Sequence, residues 1–305
     1  MGKSIQKYAV ILIKGMGMGA VDLVPGVSGG TIALIVGIYY ELLESIKSIN
    51  ISALKLLVRF QWKDFWKAIN GNFLLSLVLG IGISIFSLAT LIDYLIVTYP
   101  VFLWAFFFGL MLASVWVVVQ EVNHWTWENV LGFVLGAISA FIITMATPAN
   151  TPEDYWFIFI CGAVAICGLM MPGTSGAFFL VLLGKYAFIV NAVKTLNISV
   201  LLTFAAGIVI GITSFSHALS YALRRFYNIT IATLSGFILG SLNKVWPWKE
   251  ALETYTDSHG KVKTLIDRNI LPDQYLWEAL GFAFAGFALV FIIDKIAKRK
   301  KTNDS

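Results

Sequence analysis

Long apolar runs, separated by short polar or turn-forming stretches, make up most of this chain. Ten can be read, over roughly 8–24, 29–46, 73–97, 101–120, 129–147, 155–171, 176–193, 200–223, 228–246 and 278–297. Several reach the ~20 residues that span hydrocarbon as a helix. The first, second, sixth and seventh are shorter or are bounded by Gly and Pro. The runs are continuous and do not alternate, which predicts helices and argues against a β-barrel.

The runs repeat. Aligning 24–52 with 171–199 gives ten identities in 29 positions, among them Pro25/Pro172, Gly26/Gly173, Ser28/Ser175, Gly29/Gly176, Gly37/Gly184, Tyr39/Tyr186 and Asn50/Asn197. The offset there is 147. Further on it becomes 127, matching Gly80/Gly207, Ser87/Ser214, Tyr94/Tyr221 and Gly109/Gly236. The difference of 20 residues is the basic stretch after Asn50, which the second half lacks. The last runs align Gly132-Phe133 with Gly281-Phe282. Two units follow, 1–150 and 151–305, each with five apolar segments in the same order.

Five is odd, so the halves should insert with opposite orientation. The same holds if the first two segments of each half form a re-entrant hairpin and three full spans remain. Lysine and arginine placement tests the topology. Lys47, Lys55, Arg59, Lys63 and Lys67 put the stretch after segment two in the cytoplasm. The connection 148–154 carries Glu153 and Asp154 and no base, so it should be external. Arg224, Arg225 and the tail Lys295, Lys298, Arg299, Lys300 and Lys301 fall on the cytoplasmic side. Both termini are then cytoplasmic, and 247–277 is a long external loop of mixed charge. The expected fold is an all-α polytopic membrane protein. It has two inverted-topology repeats, each with a Pro/Gly-broken re-entrant hairpin plus three transmembrane helices.

Composition agrees. Apolar residues make up 58% of the 305 and charged ones 13%, with a mean hydropathy of +0.82. A soluble domain carries about 25% charged residues, so a soluble globular class is excluded. Of 39 charged residues, only 10 lie in positions 71–246. The net charge of +5 therefore reads as topology and not as a nucleic-acid face. Cys161 and Cys167 lie in one apolar segment and read as small packing residues. Lys3, Lys7 and Lys14 around an apolar stretch resemble a signal peptide, but Asp22 and Pro25 interrupt the cleavage region, so the segment is expected to be retained.

Two tips carry the candidate chemistry. They are Val24-Pro25-Gly26-Val27-Ser28-Gly29-Gly30-Thr31 and Met171-Pro172-Gly173-Thr174-Ser175-Gly176-Ala177. Pro25, Gly26, Pro172 and Gly173 break the helix, and each Ser-Gly opens the next. A helix start offers free N–H groups and the positive dipole end, an anion site without formal charge. Broken backbone at membrane depth is tolerated where protein or water surrounds it, and transporters place such elements at corresponding positions of two inverted repeats. Two short turns at the membrane surface are the alternative.

The halves divide the intramembrane charge. Asp22, Glu41 and Glu44 face Leu169, Phe188 and Asn191 at the matching positions, whereas Lys185 faces Ile38. Charges at such depth are costly and usually have a use. Ser28, Gly29, Gly30, Thr31, Ser175, Gly176, Lys185, Arg224 and Arg225 are the candidate phosphate contacts, and Asp22 and Glu41 the candidate proton-coupling groups. Each has a plainer reading. Arg224 and Arg225 also fit positive-inside anchors, Glu41 and Glu44 a solvated interface, and Asp22 a helix cap. No cofactor, metal or catalytic motif is legible.

At these residues the sequence resembles the bacterial polyprenyl-phosphate transporter family. The resemblance lies in Gly17 to Thr31, Met171 to Gly176, the Arg224-Arg225 segment, and Gly236 to Leu242 leading to Trp246-Pro247-Trp248. Asn243 departs from it, standing where a basic residue is expected before Lys244. The resemblance implies a transporter and not an enzyme. It would return undecaprenyl phosphate from the outer to the inner leaflet of the bacterial cytoplasmic membrane for carrier recycling in envelope synthesis. Its partners would be that lipid and the surrounding membrane lipids, with no nucleic acid. Protons as coupling ion are a separate expectation, from the protonatable Asp22 and Glu41. A soluble-anion transporter and a membrane-embedded lipid-phosphate enzyme remain the alternatives.

Overall fold

The computed structural model describes residues 2–24, 27–149, 151–256 and 262–303. The described part of the first half runs α1 (Gly2–Asp22), α2 (Gly29–Ile35), α3 (Tyr39–Lys47), α4 (Ile51–Val58), α5 (Trp62–Ala68), α6 (Gly71–Thr98), α7 (Pro100–Val119) and α8 (Trp127–Met145). The second runs α9 (Tyr155–Met170), α10 (Gly176–Leu182), α11 (Tyr186–Lys194), α12 (Ile198–Arg225), α13 (Tyr227–Ser241) and α14 (Leu276–Asn303), with two strands before α14. Five helices are long and apolar enough to cross a membrane, or up to seven segments if each bent pair α2–α3 and α10–α11 counts as one. The chain is a helical, multi-pass membrane protein.

The element order recurs. The bounds of α2 and α3 match those of α10 and α11 at offset 147, and those of α6 match α12 at 127. The packing recurs too. Helix α1 packs on α6 as α9 does on α12, and α7 packs on α14 as α13 does on α8. Glycines allow each close approach. A methyl group on Gly15 or Gly80 would strike the α6 or α1 backbone at Leu77 or Leu12, and on Gly162 or Gly207 the backbone at Phe204 or Phe159. Small residues of this kind let membrane helices touch along their backbones.

The same contacts move one alignment. Gly136 lies against Thr233 and Phe237, and Gly286 against Phe106 and Leu110. Those partners correspond at offset 127, so the last helices match at 150 rather than at the 149 of Gly132/Gly281. Trp127-Glu128 then falls on Trp277-Glu278. Isolated Gly-Phe identity misleads here because that dipeptide occurs four times in so apolar a chain.

Four further stretches differ from the sequence reading. The run 29–46 is two helices bent by 117°, and 176–193 is two bent by 111°. Gly37 and Gly184 cause the bends, with φ of +70° and +63°. The amides of Gly37 and Ile38 donate to Leu34 and Ala33, and those of Gly184 and Lys185 to Val181 and Leu180. That is the left-handed glycine stop of a helix C-terminus. The basic stretch after Asn50 holds α4 and α5. The stretch 247–277, expected to be external, contains an antiparallel pair, β1 (Lys249–Thr256) with β2 (Val262–Asn269).

The main core surrounds the first hairpin. Val24, Val27, Leu43, Phe73, Met111, Ile238 and Val245 are each fully buried.

Candidate functional site

Pro172 ends α9, so the last carbonyls of that helix have no helical partner. The first hairpin supplies two. The Ser28 hydroxyl donates to the Leu169 carbonyl at 3.2 Å, and the Tyr39 hydroxyl to the Met170 carbonyl at 2.8 Å. In return the Gly173 amide donates to Thr31 Oγ1 at 3.0 Å. The two tips therefore cross and share buried hydrogen bonds. Gly173 has φ +88°, and a Cβ there would reach Ser241 Oγ at 2.5 Å on α13. Only glycine fits that backbone and that gap.

Each tip also caps its own helix. Ser28 Oγ accepts from the Gly30 amide at 3.0 Å, and Ser175 Oγ from Phe178 at 3.2 Å. The Gly29 amide donates to Asp22 Oδ1 at 2.6 Å. A carboxylate thus sits at the positive end of α2, where an anion is favoured. The cap geometry anticipated for Asp22 is present. Of the tip amides anticipated as free, those of Gly29, Gly30 and Gly173 have partners within the protein. Gly176 packs on the Ala165 carbonyl, at 2.6 Å from an added Cβ. Pro25 and Gly26 lie outside the described residues, and Pro172 is buried beside the crossing.

A cavity of about 320 Å³ opens beside the first hairpin, between α2, α3, α7, α12 and α13. Tyr39, Tyr40, Glu121, Arg224 and Tyr227 supply its polar wall. Arg224 donates through Nε to the Tyr40 hydroxyl at 2.9 Å and through a terminal nitrogen to Glu44 Oε2 at 2.5 Å. The Ser220 hydroxyl donates to Glu44 Oε1, and Lys47 Nζ lies 3.8 Å from that oxygen. Tyr39 belongs to both places, lining the cavity and donating through its hydroxyl to the Met170 carbonyl at the crossing.

The remaining candidates lie elsewhere. Lys185 is buried at the bend of the second hairpin, donating to the Thr151 carbonyl at 2.7 Å with its ammonium 5.9 Å from the Phe188 ring centroid. That bend is about 10 Å along α10 from the tip. Glu41 accepts from Asn70 at 3.1 Å, and Asn70 also donates to Ser45. Arg225 is exposed and does not line the cavity. The structure thus gathers Ser28, Gly29, Gly30, Thr31, Asp22, Gly173 and Ser175 at the crossing, places Arg224 at the cavity, and keeps Lys185, Glu41 and Arg225 apart.

Tyr39, Tyr40 and Ser220 are new members of the site. A signal for two of them exists in the sequence. Tyr40/Glu44 and Ser220/Arg224 are each spaced by four, so each pair shares a helix face. Tyr39 recurs as Tyr186 and reads as scaffold.

Residues 18–263 match a family described as VCA0040-like, undecaprenyl phosphate translocase-like. A Polyprenyl-phosphate transporter of Vibrio cholerae is 44% identical over 98% of this chain and 99% of its own length. A Polyprenyl-phosphate transporter of Staphylococcus aureus is 30% identical over 77% of this chain and 85% of its own. No solved structure matches. These names describe transporters and not enzymes. With matched residues running from before the first tip to beyond the second, and near-full-length identity to one transporter, the chain belongs to the undecaprenyl phosphate translocase-like family.

Proposed function

We propose that the protein carries polyprenyl phosphate, undecaprenyl phosphate in a bacterium, from the outer to the inner leaflet of the cytoplasmic membrane. The returned lipid re-enters envelope synthesis. The observation that carries this reading is the crossing of the two tips, joined by Thr31 and Gly173 in the protein interior. It gives a polar centre to an apolar bundle, which a lipid head group needs and its isoprenoid tail does not. The tail stays in the bilayer while the phosphate crosses.

The scaffold is two inverted repeats, 1–150 and 151–305, with both termini cytoplasmic. Support comes from the recurring helix pairs, of which α7 with α14 and α8 with α13 join one half to the other. Arg224 receives the phosphate at the cavity, where a guanidinium matches phosphate oxygens in a two-pronged contact. Glu44 holds Arg224 until the phosphate replaces it. At the crossing, the Asp22 carboxylate occupies the anion place at the start of α2. Protonation of Asp22 weakens that cap and lets phosphate reach the amides of Gly29 and Gly30, with Ser28, Thr31, Ser175 and Gly176 around it. This step makes protons the coupling ion. Glu41, Lys185 and Arg225 act through the frame, as their distance from the crossing implies.

Depletion tests the reading in a strain without redundant carriers. Surface-exposed polyprenyl phosphate should rise and return to normal on re-expression. Unchanged surface carrier would contradict it.

A further inference from the structure

The 20 residues that interrupt the repeat have no counterpart in the second half, where α11 passes to α12 through Thr195–Asn197. They fold into α4 and α5, and the repeated scaffold does not need them. Their surface has two components. Val58 and Phe60 are each 77% exposed, Trp62 59% and Trp66 41%. Lys55, Arg59, Lys63 and Lys67 are also exposed, spaced by four, with Asp64 as the acid among them. None of the residues of α5 is buried. Among the described residues these four cations form no ion pair.

We propose that α4 and α5 form a shelf that docks on the anionic lipid surface of the leaflet it faces. Aromatic rings suit the headgroup boundary, and the basic residues suit anionic headgroups above it. Charge complementarity selects this occupant. Left uncovered, the ring of Phe60 and the Val58 side chain would stand in water beside the bilayer. The shelf is fixed to the bundle. The Trp66 indole donates to Asn72 on α6 at 2.8 Å, and its ring fills the space beside Gly71. Asn70, between α5 and α6, donates to Glu41 and Ser45 on α3. Lipid docking therefore sets the depth of the helix that carries Glu44.

The test uses the full-length protein in nanodiscs of phosphatidylcholine alone or with phosphatidylglycerol, each with brominated acyl chains. The shelf's fluorescence is the difference between the unaltered protein and W62F/W66F. Shallow bromines should quench it more in the anionic discs. The excess should vanish in K55Q/R59Q/K63Q/K67Q and at about 1 M salt, where the screening length falls to ~3 Å. Independently, trypsin should cut the unaltered chain after these basic residues more slowly in anionic discs. Equal quenching and equal cleavage in both lipids would overturn the proposal. So would an unquenched, rapidly cut shelf, which would instead mark a surface for a protein partner.

Discussion

Thr31 and Gly173 lie 142 positions apart and are joined by one buried hydrogen bond, the Gly173 amide donating to Thr31 Oγ1 at 3.0 Å. It couples the two halves of the chain at their most irregular points. Thr31 is fully buried, so no water replaces a lost partner. Thr31→Val keeps the shape and removes the acceptor. Such a loss costs about 1–3 kcal/mol. Thermal unfolding in detergent should show the drop for Thr31→Val, and Thr31→Ser should stay close to the unaltered protein.

Gly37 and Gly173 both have positive φ but differ in surroundings. Nothing lies within 4 Å of a Cβ at Gly37, whereas one at Gly173 meets Ser241 and Ile238. Gly37→Ala should cost the backbone term alone, about 1–2 kcal/mol. Gly173→Ala should cost more and lower transport, because the second tip must move. Melting temperatures of the two variants, measured side by side, check the order.

Asp22→Asn separates capping from charge. The side-chain oxygen of Asn can still accept from Gly29, and the negative charge that it removes from the start of α2 is worth about 0.3–1 kcal/mol. Stability should change by no more than about 1 kcal/mol on that ground. Transport should nevertheless be lost, since the proposed exchange needs a group that gains and releases a proton. Asp22→Asn with full transport would reduce Asp22 to a cap.

The Glu44–Arg224 pair is partly exposed, with 29% and 56% of the side chains accessible. Exposed pairs contribute at most about 1 kcal/mol. Arg224→Ala should therefore fold normally and bind polyprenyl phosphate poorly. Arg224→Lys should recover little, lacking the planar fork. Glu44→Gln should tighten binding by removing the competing carboxylate. Binding to a fluorescent polyprenyl phosphate measures all three.

Much of this architecture was legible in the sequence because it is repeated. Pro172, Gly173 and Ser175 marked a helix break and a restart, and both are present. Gly37 and Gly184 were visible as identities, but their bends were not, since a lone glycine inside an apolar run also fits a straight helix. The last helices were placed one residue off because Gly132 and Gly281 match by letter, while Gly136 and Gly286 match by what they touch.

The site was less legible than the scaffold. The tips were singled out and Asp22 was readable as a cap, yet the Gly173 amide is occupied because Thr31 reaches it across 142 positions. Pairings that long leave no local trace. Lys185 shows the converse. A buried lysine reads as a ligand, but Lys185 donates to the Thr151 carbonyl at the bend, away from the crossing.

The most direct test of the account is leaflet exchange by the purified protein in vesicles carrying a fluorescent polyprenyl phosphate in the outer leaflet. The unaltered chain should move the probe inward, and Arg224→Ala and Asp22→Asn should each abolish that movement while remaining folded. No inward movement by the unaltered chain, or undiminished movement by both variants, would contradict it.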